Sequence, residues 1–309
     1  MTINNMNSVA PNFLKKGDII EILAPAKFVT QEDLSFAKSF LEGLGYQVYI
    51  DKSNFMRDGV FAGTKRDRTD RLQTSLDNKD VKAILFARGG YGTLQIIDDL
   101  SFTKFVRNPK WLIGFSDITT IMCHIQQNFK IQSIHAPMAY NFNFTDKRYL
   151  KMLVRMLEGK RENIKIKSSN YNTTGTVQGE VIGGNLSILY SLVGSQSLTN
   201  LKNQILFIEE IDEYLYHFER MLISLDRCGF LSNISGIIVG QMTSMHDNKI
   251  GFGKELNQII FDITEKYNYP KCFDFPLGHI KGNTPIVIGS TVRLSVAKDY
   301  STLSYSIDE

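Results

Sequence analysis

Cysteine is scarce: the 309-residue chain carries three, Cys123, Cys228 and Cys272. The count is odd and no short metal-ligand spacing occurs. A disulfide framework and a Cys-based metal centre are therefore not expected, and buried thiols in a reducing compartment are. Long apolar runs are lacking as well; no stretch approaches the roughly 20 residues needed to cross a bilayer. The opening MTINNMNSVAPNF has neither the basic region nor the unbroken apolar core of a secretory signal, which sets the expectation of a cytoplasmic protein with no membrane partner. An excess of one charge sign is missing too: 35 Lys and Arg stand against 32 Asp and Glu, a net charge of +3. That balance does not point to nucleic acid as a partner. Tryptophan occurs once, as Trp111 inside an apolar run, and reads as a core residue.

What is present is ordinary for a globular chain: 43% hydrophobic and 22% charged residues, over a length sufficient for two cores. Short apolar runs alternate with helical patterns in the first half. DIIEILAPA (18–26), YQVYI (46–50), VKAILFA (81–87), WLIGF (111–115) and IQSIHA (131–136) read as strands. Residues 31–45 and the polar stretch 64–78 read as helices between them. Strands separated by helices of this length imply right-handed crossovers and a mostly parallel sheet. Continuous apolar character in the strands implies that both faces are covered.

The character changes over 159–178, where GKRENIKIKSSNYNTTGT is rich in Asn, Ser, Thr and Lys and reads as a linker. Beyond it, 205–211 and 234–242 read as strands, with helical patterns over 214–229 and 253–267. The closing PIVIGSTVRLSVAKDYSTLSYSI reads as a hairpin or meander. The expected organisation is an N-terminal α/β domain over 1–158, the linker, and an α+β domain over 179–309.

Two strand-to-helix turns carry chemistry. In WLIGFSDITTIMCHI (111–125), Ser116 follows an apolar strand and precedes a helical pattern. A serine there meets free N–H groups and the positive end of the helix dipole. The pattern approaches the G-x-S-x-G elbow of α/β-hydrolases but has Ile118 where the second glycine belongs. A plain helix cap fits the same residues. In Ala87-Arg88-Gly89-Gly90-Tyr91-Gly92, glycines let the backbone approach a ligand and aim N–H groups at it, as a phosphate cradle or as an oxyanion hole.

A serine nucleophile needs a base, usually His, held by an acid. Of five histidines, His124 lies two helical turns from Ser116, His135 ends a strand of the same sheet, His217 sits in a charged helix and His246 in a polar loop. His279 lies between Pro276-Leu277-Gly278 and Lys281-Gly282-Asn283, a loop setting suited to a positioned side chain. For the acid, Glu209, Glu210, Asp212 and Glu213 crowd the end of one strand, an arrangement of a solvated turn or a metal site. No His or Cys lies at ligand spacing nearby, and no metal is expected.

Taken together, APA (24–26), FAGTKRDRTDRLQ (61–73), ARGGYGT (87–93), NPKWLIGFSDIT (108–119), IHAPM (134–138), GEVIGGNLSIL (179–189), FIEEIDE (207–213) and PLGHIKGN (276–283) resemble, in order, the LD-carboxypeptidase family of serine peptidases. The resemblance implies a Rossmann- or flavodoxin-like N-terminal domain with a smaller C-terminal one, commonly as a homodimer, and no cofactor. It implies Ser116 as nucleophile, Glu209 as acid with Glu210 the fallback, and His279 as base. It also implies an oxyanion hole from the N–H groups of Gly90 and Asp117. Nucleophile and base then come from different domains. Arg88 and Tyr91, beside that turn, are expected to touch substrate. The implied activity is removal of the terminal D-amino acid from a murein tetrapeptide in cell-wall recycling, a muropeptide being the partner. The microcin-immunity type, acting on peptidyl-adenylates, is the alternative within the family; a non-catalytic anion- or peptide-binding module, with Ser116 only a cap, is the alternative outside it.

Overall fold

The computed structural model describes residues 8–305, so the first seven residues of the opening stretch and 306–309 lie outside the description. In chain order its strands are β1 (Ile19–Leu23), β2 (Gln47–Tyr49), β3 (Val81–Phe86), β4 (Trp111–Gly114), β5 (Ser133–His135), β6 (Ile164–Lys167), β7 (Gly175–Asn185), β8 (Ile205–Ile211), β9 (Gly236–Thr243), β10 (Lys271–Cys272), β11 (Ile286–Ile288), β12 (Thr291–Val296) and β13 (Tyr300–Tyr305). The helices are α1 (Gln31–Gly43), α2 (Lys65–Asp77), α3 (Thr103–Arg107), α4 (Thr119–Phe129), α5 (Lys147–Leu157), α6 (Leu186–Leu192), α7 (Leu215–Arg227), α8 (Phe230–Asn233) and α9 (Leu256–Thr264). They divide into two units. One runs to Lys160 and takes in Pro285–Val287; the other comprises Arg161–Thr284 and the residues from Ile288 onward.

In the first unit the sheet order is β11-β5-β4-β3-β1-β2. The pairs among β1 to β5 are parallel. The order 2-1-3-4-5 is that of a doubly wound, flavodoxin-like sheet. The apolar runs persist because both faces are covered: Ile20, Ile22, Ile84, Phe86 and Leu112 are fully buried. Helix α2 packs on β1 and α4 on β5. Both α1 and α2 start at capping boxes, Thr30 with Asp33 and Thr64 with Asp67, which fixes where the polar stretch after residue 63 turns helical. Trp111 is buried, stacked 6.2 Å from Phe13, with its Nε1–H donating to the Asn12 carbonyl.

In the second unit the order is β10-β9-β8-β7-β12-β13-β6. Strands β7 to β10 pair in parallel. Strands β7, β12, β13 and β6 pair antiparallel. The eleven-residue β7 joins the two halves: Gly175–Glu180 face β12, and Val181–Asn185 face β8. Two expectations change here. The stretch 159–178, expected as a linker, contains β6 and the start of β7, because Ile164 and its neighbours pair with β13. Residues 286–288, expected to belong to the terminal meander, form β11 and lie beside β5 in the first sheet. The hairpin proper is β12 with β13.

Candidate active site

The strand order of the first unit reverses between β1 and β3, and the carboxyl ends of strands beside such a reversal are the usual ligand position in doubly wound sheets. Two arginines from α2 tie the loops after these strands together. Arg68 is 1% exposed and donates to the carbonyls of Pro25 (3.1 Å) and Gly92 (2.9 Å). Arg71 donates to the carbonyl of Ala24 at 2.8 Å. The loop after β1 and the Gly-rich turn after β3 are therefore held by buried cations. Sequence reasoning missed these two, since an arginine in a polar helix looks solvated.

Ser116 follows β4 with φ of 60° and heads a single helical turn before α4. A cap residue has extended backbone and its side chain accepts an N–H of the next turn. Ser116 has neither feature, and no side chain caps either helical segment there. The cap expectation does not describe this serine. A left-handed serine is instead a backbone under strain, of the kind that clusters at functional positions. Ile118, where the elbow pattern has its second glycine, packs on Gly114, where an added Cβ would stand 3.0 Å from its Cγ1.

The Gly-rich turn backs directly onto this serine. A Cβ on Gly89 would lie 3.3 Å from Ser116 Cβ and 3.4 Å from the Asp117 nitrogen. Asp117, second in its helical turn, has an N–H without an intrahelical acceptor. Its buried carboxylate accepts the Thr93 N–H at 2.9 Å, and the Thr93 hydroxyl donates to the Asp117 carbonyl at 2.6 Å. Burial pushes the Asp117 carboxyl up, against the N–H and hydroxyl groups of Thr93 that pull it down. Of the residues expected at substrate, Arg88 lies 4.5 Å over the Tyr140 ring, and the half-exposed Tyr91 sits 6.0 Å from Phe61.

In the second unit the four clustered carboxylates part company. Glu209, fully buried on β8, accepts from His279 Nδ1 at 2.7 Å. Glu210 points the other way, as adjacent strand residues do. Its Oε1 accepts from Asn185 (2.8 Å) and the Ile211 N–H (2.9 Å), and its Oε2 from the Ser187 N–H at the start of α6 (2.7 Å). Burial pushes its pKa up to about 7. Asp212 meets His246 at 2.6 Å and Glu213 meets His217 at 2.7 Å. The cluster is thus neither a free solvated turn nor a cage; among the described residues no group of three or more His, Cys, Asp or Glu could hold a metal. His124 and His135 are buried in the first unit against Phe102 and Phe115.

Burial alone would lower the His279 pKa, but the Glu209 charge and hydrogen bond, with a smaller push from Glu210, leave it raised. The loop is built around this pair. Gly278 has φ of 115°, donates its N–H to Asn283 Oδ1 at 3.0 Å, and would carry a Cβ 3.0 Å from both Glu209 Cβ and Oε2. Gly278→Ala should therefore lower stability by about 1–3 kcal/mol, as strain at a positive φ does. It should also weaken whatever activity depends on His279. Thermal unfolding and turnover measured on the same preparation check both effects.

The doubly wound sheet of the first unit thus carries a serine with a left-handed backbone at its carboxyl edge, and the second unit holds a buried carboxylate–imidazole pair. The chain belongs to the LD-carboxypeptidase family: residues 20–136 match its N-terminal domain and residues 178–294 its C-terminal domain. It is 31% identical over 304 residues to the probable murein peptide carboxypeptidase of Bacillus subtilis, covering 97% of this chain and 95% of that one. The microcin C7 self-immunity protein MccF of Escherichia coli is 23% identical over 318 residues, at 93% and 91% coverage. The crystal structure of muramoyltetrapeptide carboxypeptidase from Oxalobacter formigenes superposes with a TM-score of 0.84 at 26% identity, over 94% of this chain and 99% of that one.

Proposed function

We propose that this protein is a cytoplasmic serine-type L,D-carboxypeptidase that removes the terminal D-Ala of a murein tetrapeptide during cell-wall recycling, acting as a homodimer. The observation that carries the reading is the left-handed backbone of Ser116, φ 60°, against the Gly-rich turn. In this reading His279 takes the proton of the Ser116 hydroxyl, and Glu209 holds the imidazole and stabilises its charged form. Ser116 attacks the scissile carbonyl, and the N–H groups of Gly90 and Asp117 receive the oxyanion. D-Ala leaves with the proton from His279. Water, activated by the same imidazole, then releases the tripeptide from Ser116. Arg88 and Tyr91 contact the substrate.

A fluorophosphonate probe tests the nucleophile. Ser116 should label in the wild type and Ser116→Ala should not; an unlabelled wild type, or undiminished labelling of the variant, argues for a non-catalytic module. Mass spectrometry of tetrapeptide muropeptides tests the substrate. Loss of one D-Ala is expected, whereas an untouched tetrapeptide beside a cleaved peptidyl-adenylate analogue moves the assignment to the microcin-immunity type.

A further inference from the structure

A carboxypeptidase of terminal residues has to recognise a free carboxylate, and the Gly-rich turn carries a cation suited to that task. Lys27 follows β1, in the loop that meets the turn. Its stem lies across Gly90: an ideal Cβ there would fall 2.6 Å from Lys27 Cδ and Cε and 2.9 Å from Cγ. Gly90, with φ of 105°, thus leaves the place that the lysine fills. The next residue back, Gly89, is the one that abuts Ser116. Lys27 and Ser116 therefore sit against two consecutive residues, about 3.8 Å apart along the chain. A terminal amino acid spans the same interval, since its carboxylate is one residue beyond the scissile carbonyl.

One neighbouring cation is already engaged: Arg68 spends its guanidinium on the carbonyls of Pro25 and Gly92 and on Gln95. The Arg88 guanidinium lies over the Tyr140 ring. Asp117, the acid closest along the chain to Ser116, is turned into the protein toward Thr93. We propose that Lys27 is the specificity residue that binds the free carboxylate of the substrate's terminal residue, its ammonium donating to the carboxylate while the N–H groups of Gly90 and Asp117 hold the scissile carbonyl. The proposal rests on the carboxypeptidase reading and adds to it the group that makes the enzyme act on chain ends.

The test compares wild type, Lys27→Met and Lys27→Arg on a murein tetrapeptide and on the same peptide with a C-terminal carboxamide. Fluorophosphonate labelling of Ser116 monitors the nucleophile throughout. Losing a charge-assisted contact should raise KM for the tetrapeptide about tenfold or more in Lys27→Met, with kcat much less affected. The carboxamide should be a poor substrate for wild type and no poorer for Lys27→Met, and Lys27→Arg should restore much of the affinity. An unchanged KM, an equal loss on acid and amide, or a loss confined to kcat would each overturn the proposal, the last in favour of a role at the oxyanion. If wild type labels at Ser116 but leaves the tetrapeptide intact, the substrate reading itself has failed. In that case the Lys27 assignment stands only if C-terminal acids, and not amides, slow labelling of wild type and do not slow that of Lys27→Met.

Discussion

Ser116→Ala should lower kcat on the tetrapeptide by about 10⁵–10⁶-fold while leaving the protein folded. Where a nucleophile, base and acid act as a unit, removing the nucleophile costs nearly as much as removing all three. The fold should persist because alanine meets the same left-handed backbone as serine and loses no cap contact, Ser116 making none. Ser116→Gly separates the two roles of the position. Glycine adopts φ of 60° without penalty, so this variant should be about 1 kcal/mol more stable than wild type while equally inactive. Denaturant unfolding together with turnover checks the pair. A serine variant that retains a tenth of the activity would sink the nucleophile assignment. A glycine variant less stable than wild type would remove the strain argument.

The parts of this arrangement that were legible in the sequence share a physical character. β1, β3 and β4 read directly because strands covered on both faces are unbroken apolar runs. α2 read as a helix although it is almost wholly polar, and its capping box places its start. Its buried Arg68 and Arg71 did not read, because a guanidinium that serves main-chain carbonyls looks the same in sequence as one in solvent. β6 was hidden in a Lys- and Asn-rich stretch whose pairing partner, β13, lies more than a hundred residues away. β11 was assigned to the wrong neighbour for a similar reason, its place being set by tertiary pairing with the first sheet. Ser116 stood between cap and elbow on local pattern alone. Its φ of 60° departs from the extended backbone of a cap, and Ile118, where the elbow pattern has glycine, packs on Gly114. Glu209 and Glu210 were indistinguishable by composition, since both end the same buried strand. Strand alternation sends one to His279 and the other to Asn185 and α6.

That divergence sets the second large effect. Glu209→Gln should lower kcat by up to about 10⁴-fold, the order seen when a catalytic imidazole loses the carboxylate that fixes its tautomer. It should also move the pH profile. The imidazole acts as a base only when unprotonated, so kcat/KM should rise with pH through the free-enzyme pKa of His279. In wild type that pKa is raised, the Glu209 charge overcoming the effect of burial, so the acid limb should lie above the ordinary histidine value of about 6.5. With Gln in place of Glu209 the attraction is gone and burial remains, so the limb should shift to lower pH even as the plateau falls. A lost hydrogen bond alone would lower the plateau without moving the limb in that direction. Glu210 cannot take over, because its oxygens are occupied by Asn185, Ile211 and Ser187. Glu210→Gln should therefore cost far less activity and shift the limb only slightly downward, in keeping with its minor push on His279. If instead Glu210→Gln proved the more damaging of the two, the orienting carboxylate would be Glu210, and the 2.7 Å contact of Glu209 with His279 would not be the one that catalysis uses.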